Sequence, residues 1–176
     1  VAGFGHLEVL TNGEGTQNVK TMVNKAVGYM DQEMHKDYQK YHKDSPCESI
    51  NLHYLYARSF FLSTKKLSAS HQEAYKYYYD NAKKYWKKQS LYNQAITALV
   101  LYRNGDKELA KNIVENIKSW AQYSEEMGMW WKRDGYGYYW DEAPVERQAL
   151  LIEAFNTITQ DQESVEKMQL WLLKQK

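Results

Sequence analysis

The sequence contains little of several residue types on which whole classes of protein depend. Its 176 residues include one cysteine and two prolines. A single cysteine excludes an internal disulfide framework and a zinc site built from several cysteines. Nine glycines, together with 43% hydrophobic residues, exclude a collagen-like chain and a disordered one. The composition therefore favours a folded domain with a hydrophobic core.

The chain also has no marked excess of charge and no long apolar run. Lys and Arg together number 23, Asp and Glu number 22, and the formal net charge is +1. Proteins that bind nucleic acids or membrane surfaces generally carry a basic excess, so we expect no nucleic-acid partner. No apolar run approaches the roughly 18 residues that span a bilayer, so we expect no direct membrane insertion.

Motifs that indicate enzyme chemistry are missing as well. The sequence has no glycine-rich phosphate loop, no G-x-S-x-G elbow and no H-E-x-x-H pair. Cys47 carries no protease signature around it, which favours a structural role. His35 and His42 are seven residues apart, whereas metal-binding pairs on a helix usually stand four apart. We therefore predict a protein that is not an enzyme and has no catalytic residue, no cofactor and no metal site.

The residues that are present favour helices. Between Val19 and Met34 the apolar residues recur at the spacing of one helix face: Val19, Met22, Val23, Ala26, Val27, Met30 and Met34. Two S-x-x-E patterns, at Ser45–Glu48 and Ser70–Glu73, are typical of helix N-termini. A break near Gln89–Ser90 separates the second of these helices from the next.

Two helical hairpins are predicted in the second half of the chain. The first, Ala95 to Ala121, turns at Asn104-Gly105-Asp106, which combines a C′ glycine with an N-cap aspartate. Its second helix carries the apolar residues Leu109, Ala110, Ile113, Val114, Ile117, Trp120 and Ala121. The other hairpin begins near Pro144 and turns at Thr159-Gln160-Asp161. Its apolar face is predicted to include Val145, Ala149, Leu151, Ile152, Phe155 and Ile158. Aligning Gln94-Ala95 with Gln148-Ala149 indicates a weak repeat of such hairpins.

An aromatic segment lies between the two hairpins. Met127–Trp140 contains three glycines and six aromatic residues with no helical period, which predicts a loop or a short β-ribbon over the helix ends. Its candidate binding residues are Trp130, Trp131, Tyr136, Tyr138, Tyr139 and Trp140. The competing interpretation is that these side chains fill helix interfaces. Asp141 and Glu142 follow, and capping of the next helix is favoured over an acid role in catalysis.

Three stretches of the sequence resemble a known family. They read GFGHL at Gly3–Leu7, NLHYLYARSFF at Asn51–Phe61, and GMWWKRDGYGYYWDEAPVERQALLIEAF at Gly128–Phe155 with QLWLLKQK at Gln169–Lys176. They resemble the bacterial alpha-2-macroglobulin family, in the later part of its thioester domain, which is like that of the complement components. The resemblance covers most of the chain and includes no catalytic residue.

The resemblance implies an all-α fold, an α/α toroid of helical hairpins in concentric rings, here partial, with residues 1–176 as one helical domain. It also implies a fragment of a much larger bacterial protein that is exported, periplasmic or at the cell surface through a lipid anchor. Family members have endopeptidase inhibitor activity because they trap proteases. The expected partners are neighbouring domains of the parent protein and, through the parent, target proteases. The family's thioester needs C-x-x-Q, but Ile50 stands three residues after Cys47, so no thioester is expected in this chain.

Two alternatives to this function stay open. The α/α toroid also hosts glycan-binding and glycan-processing proteins, in which the Trp130–Trp140 segment would stack on sugar rings. A helical-repeat adaptor that binds a protein along one face is the other alternative.

Overall fold

The computed structural model describes residues 1–13, 17–41, 49–132 and 143–175. Of these residues 77% are helical, in eight α-helices, and one short antiparallel hairpin accompanies them. The prediction of a mostly helical fold is thereby confirmed. Internal contacts divide the chain into two compact units, Val1–Lys84 and Tyr85–Lys176, which are described separately below. The predicted helix start at Ser45–Glu48, which contains Cys47, lies outside the described residues, as does His42.

The first unit contains four helices, α1 (Ala2–Leu10), α2 (Gln17–Tyr41), α3 (Ser49–Ser59) and α4 (Ala69–Tyr85). The helix predicted over Val19–Met34 is confirmed within α2. Its buried face follows the predicted stripe at Val23, Val27 and Met34, but Met22 is 49% exposed. Asp31 also belongs to the buried face, which the apolar pattern did not predict.

Helix α1 packs on a small apolar cluster formed by Val23, Val27 and Phe61. Phe4 supplies the contact from α1. Gly5 faces the ring of Phe60 so closely that an added Cβ would overlap it, and glycine is therefore the residue that permits this approach. The stretch GFGHL, one of those that carry the family resemblance, is thus part of a helix.

The second unit contains a 3-10 turn (Trp86–Lys88) and then α5 (Leu91–Arg103), α6 (Lys107–Ser119), β1 (Gln122–Ser124), β2 (Gly128–Trp130), α7 (Pro144–Ala154), a π-helical turn (Phe155–Thr159) and α8 (Gln162–Leu173). Helices α5 and α6 form the first predicted hairpin. Gly105 adopts a φ of +96°, as the predicted C′ position requires. Asp106 occupies the N-cap of α6, although its side chain makes no capping hydrogen bond.

The end of α6 differs from the prediction in one respect. The apolar pattern assigned Trp120 to the buried face, but its side chain is 70% exposed. The helix ends at Ser119, and Trp120 is the C-cap residue. Because the chain leaves the helix there, the helical period no longer directs this side chain toward the core.

Helix α7 begins at Pro144, as predicted. Half of the predicted apolar face is buried, namely Leu151, Phe155 and Ile158. Val145 is 45% exposed and Ala149 is also exposed, so their predicted place in the core is wrong. Arg147 and Gln148 are buried instead. Their polar groups reach main-chain carbonyls of the neighbouring hairpin segment, which compensates for the loss of water.

The second predicted turn, Thr159-Gln160-Asp161, is also present. Gln160 adopts a left-handed φ of +56°, and Asp161 caps α8 by accepting a hydrogen bond from the Ser164 amide at 3.2 Å. Lys118 of α6 donates to the same carboxylate at 2.6 Å. Asp161 therefore connects the two hairpins through one charged side chain.

We expect Asp161→Ala to lower the free energy of unfolding by about 1 kcal/mol at neutral pH, because the helix loses its cap. Burial raises the pKa of Asp161, but hydrogen bonds from Lys118 and Ser164 outweigh burial and hold the pKa below its ordinary value of 3.8. The stabilisation is therefore present above 3.8 and is lost as pH falls through the lowered pKa of the folded state. The free energies of unfolding of wild type and variant, measured with denaturant, should differ at pH about 7 and become equal at pH about 2. A difference that grows on acidification would contradict this assignment.

Candidate functional site

A short β-ribbon is present, but only its second strand, β2, lies in the segment Met127–Trp140 for which the ribbon was predicted, because β1 precedes Met127. Strands β1 and β2 pair antiparallel, with Gln122 opposite Trp130 and Ser124 opposite Gly128. Gly128 has a φ of +79°, and an added Cβ would overlap the carbonyl oxygen of Lys167 in α8. Of the six candidate binding residues, Tyr136, Tyr138, Tyr139 and Trp140 lie outside the described residues, as do Asp141 and Glu142.

Buried polar side chains hold the end of this hairpin. Gln148 donates through Nε2 to the Met129 carbonyl at 2.8 Å and to the Met168 carbonyl at 3.2 Å. Arg147 donates through Nη2 to the Trp131 carbonyl at 3.0 Å. Two of these bonds attach the ribbon and Trp131 to α7, and the bond to Met168 joins α7 to α8. The chain up to Trp131 therefore has a defined position in its unit.

The two described candidate residues differ in exposure. Trp130 is half-buried, whereas Trp131 is only 5% exposed. The indole N–H of Trp131 donates to the Ile117 carbonyl at 2.9 Å, and its ring lies edge-to-face against Phe155 with centroids 6.0 Å apart. Trp131 therefore packs in the core of the second unit and offers little of its ring face to a ligand.

An open groove of about 620 Å³ lies beside the hairpin in the second unit. It is bounded by the turn before α5, by α5, by the end of α6 and by β1, through Lys87, Gln89, Gln94, Asn116, Trp120 and Gln122. Leu91, Trp131 and Lys132 complete its wall. The groove combines one exposed indole, four side-chain amides and two ammonium groups, and none of the described residues that line it is acidic. The motifs and apolar patterns of the sequence do not indicate this site, because its residues come from five separate segments: the turn before α5, α5, the end of α6, β1 and the residues after β2.

The first unit contains a buried ion pair between α2 and α3. Arg58 is fully buried and donates through Nε to Asp31 at 3.0 Å, and the Tyr54 hydroxyl donates to the same carboxylate at 2.9 Å. Arg58 also donates through Nη2 to the Lys65 carbonyl at 2.6 Å. Burial and the neighbouring Asp31 charge raise the pKa of Tyr54 far above its usual range. The group is enclosed, so it holds helices together and offers no route for a substrate.

The histidines and acids do not assemble a metal site in the part of the chain that the structure describes. His35 and His71 face each other from α2 and α4, with ring centroids 5.4 Å apart. No cluster of three or more potential ligands occurs among the described residues.

An apolar surface is exposed along α1. Leu7 is 53% exposed, Val9 68% and Leu10 79%. Beside them, a groove of about 580 Å³ runs between α1 and α2 and is lined mainly by apolar side chains, among them Phe4 and Val19. Helix α1 is apolar apart from His6 and Glu8, and a helix of this composition is usually buried on most sides. In α1 the side facing Phe61 is covered, whereas the side with Leu7, Val9 and Leu10 is open.

No described helix combines the length and the apolar character needed to cross a membrane. Comparison with known proteins adds no relationship: no protein-family model, no curated protein and no solved structure matches this chain.

Proposed function

We propose that this chain is a non-catalytic interaction module of a larger, exported protease-trapping protein of the alpha-2-macroglobulin type. The observation that carries the proposal is the apolar surface of α1, formed by Leu7, Val9 and Leu10. Exposed apolar patches on a folded domain mark surfaces that other protein covers. In the proposed parent, a neighbouring part of the thioester domain covers this surface.

The helical hairpins of the second unit agree with this proposal. Helices α5 and α6 form one antiparallel pair, α7 and α8 form another, and α5 packs along α7. Repeated hairpins side by side are the building units of helical toroids and solenoids. We propose that the parent extends this arrangement into an α/α toroid.

The proposal is tested on the parent protein by mixing it with a protease and following its mobility on a native gel. A trap is expected to shift to a more compact form. A denaturing gel, with and without methylamine pretreatment, separates covalent capture through an upstream thioester from non-covalent capture. Absence of any mobility shift excludes the inhibitor function.

The α1 surface is tested by Val9→Lys/Leu10→Lys in the same parent. Covering two such side chains contributes about 2 kcal/mol or more, and a buried lysine would have to lose its water. We therefore expect a loss of parent stability of at least about 2 kcal/mol, measured by chemical denaturation. In the isolated 176-residue chain the same change should leave helicity unaltered.

Leu173→Lys is the matched control, because Leu173 is 66% exposed but lies in α8 of the second unit. This substitution should change neither the stability of the parent nor the helicity of the isolated chain. If Val9→Lys/Leu10→Lys also leaves the stability of the parent unchanged, the α1 surface is not covered there and does not support the proposal.

A glycan-binding or glycan-processing module based on Trp130–Trp140 is the alternative. Among the described residues of that segment, Trp131 is packed and Trp130 is half-buried. The described part of the segment therefore supplies no open stacking face, and this alternative ranks second.

A further inference from the structure

The groove beside Trp120 has the chemistry of a carbohydrate site. It borders the aromatic segment through Trp131 and Lys132, but its exposed indole and its four amides come from outside that segment. Trp120 ends α6, where its amide donates to the Ile117 carbonyl at 3.2 Å. Its indole is 70% exposed at the edge of the groove. A flat aromatic surface that is fixed at its base and open to water suits the C–H face of a pyranose ring.

The amides around Trp120 can recognise hydroxyl groups. Each side-chain amide offers a carbonyl acceptor and an NH₂ donor, which matches a pair of neighbouring sugar hydroxyls. Gln89 accepts from the Thr97 hydroxyl at 2.8 Å through Oε1, so its Nε2 is left to donate. Gln94 donates through Nε2 to the main-chain carbonyl of Gln89 at 2.9 Å, so the Oε1 of Gln94 is left to accept.

These internal bonds also fix the amides before a ligand arrives. Gln89 and Gln94 are half-buried. The side chain of Gln89 is held by Thr97 and that of Gln94 by the main-chain carbonyl of Gln89, so little side-chain freedom is lost when they bind. Asn116 and Gln122 add further amide groups from α6 and β1. Two of the four amides, those of Gln89 and Gln94, are therefore prearranged donors and acceptors.

The charge of the groove favours an acidic ligand. Lys87 and Lys132 both line it, and no acidic side chain does so among the described residues. An ammonium group pairs strongly with a carboxylate through charge-assisted hydrogen bonds. We propose that this groove binds a pyranose oligosaccharide that carries carboxylates, such as a uronic acid oligomer.

The inference goes beyond the protease-trap proposal and does not depend on it. The proposed activity is binding. Glycoside hydrolysis would need two carboxyl groups across the scissile bond, and among the described residues none lines the groove. Binding of the isolated 176-residue chain is therefore the appropriate measurement.

The test is calorimetric titration of the full chain with trigalacturonate at low salt, with maltotriose as the neutral comparison. We expect binding of trigalacturonate that weakens as salt is added, because salt screens the lysine–carboxylate attraction. We expect maltotriose to bind at least about tenfold more weakly. No heat with trigalacturonate, or equal affinity for the two sugars, overturns the proposal.

Trp120→Ala locates the site. Its side chain is largely in water, so the variant should fold, and its affinity for trigalacturonate should fall at least about tenfold. Asn116→Ala, at another exposed position of the groove, is a second variant with the same expected direction.

Tyr123→Ala is the matched control, since Tyr123 is 50% exposed, follows Gln122 in β1 and points to the other face of the ribbon. The affinity of Tyr123→Ala for trigalacturonate should equal that of wild type. Unchanged affinity in both Trp120→Ala and Asn116→Ala would place any binding elsewhere and overturn the assignment.

Discussion

Replacing Asp31 by asparagine is expected to lower the free energy of unfolding of the first unit by about 3–5 kcal/mol. The substitution preserves the shape of the side chain but removes the negative charge that faces Arg58, whose guanidinium is fully buried. A buried charge that loses its partner retains the full cost of its desolvation. The change is measured as the opening free energy from amide hydrogen exchange in α2 and α3.

When Asp31 is replaced, Arg58 has few other hydrogen-bond acceptors. Its Nη2 already donates to the Lys65 carbonyl, and its Nη1 has no hydrogen-bond partner among the described residues. The double variant Asp31→Leu/Arg58→Met removes both charges and should therefore be less destabilised than Asp31→Asn. A double variant that is the less stable of the two would contradict this account.

Asp80→Asn is the control, because Asp80 forms its 2.7 Å ion pair with Lys76 at the surface of the same unit. Both side chains are more than half exposed, so water replaces the lost contact. No measurable change in amide exchange is expected.

Local signals predicted the boundaries of several elements correctly. Gly105 at the turn between α5 and α6, Pro144 at the start of α7 and Asp161 before α8 are each identified by the chemistry of a few neighbouring residues. Such signals do not depend on the rest of the fold, because a cap or a turn is satisfied within the same segment.

The buried polar residues and the groove could not be predicted in this way. Arg58 is neutralised by a residue of another helix, and Gln148 is satisfied by carbonyls of a strand and of α8. Trp120 fits the apolar stripe predicted for the second helix, although α6 ends one residue earlier. In each of these cases the outcome depends on partners distant in sequence, which a periodic pattern does not contain.

Replacing Gly128 by alanine is expected to lower the free energy of unfolding of the second unit by about 2–5 kcal/mol, from two separate effects. A φ of +79° costs an alanine about 1–2 kcal/mol. The new Cβ would also overlap the carbonyl oxygen of Lys167, and the backbone shift that relieves such overpacking typically costs about 1–3 kcal/mol. The total loss is measured as the change in opening free energy from amide hydrogen exchange in α8 and the β-hairpin.

Gly105→Ala separates the two effects, because Gly105 has a φ of +96° but, its chain neighbours aside, no atom of the described residues lies within 4 Å of an added Cβ. It should lose only the backbone contribution of about 1–2 kcal/mol. Because β1 and the residues after β2 border the Trp120 groove, Gly128→Ala should also weaken trigalacturonate binding, whereas Gly105→Ala should not. Equal losses of stability in the two variants would contradict the close contact between Gly128 and the main chain of α8.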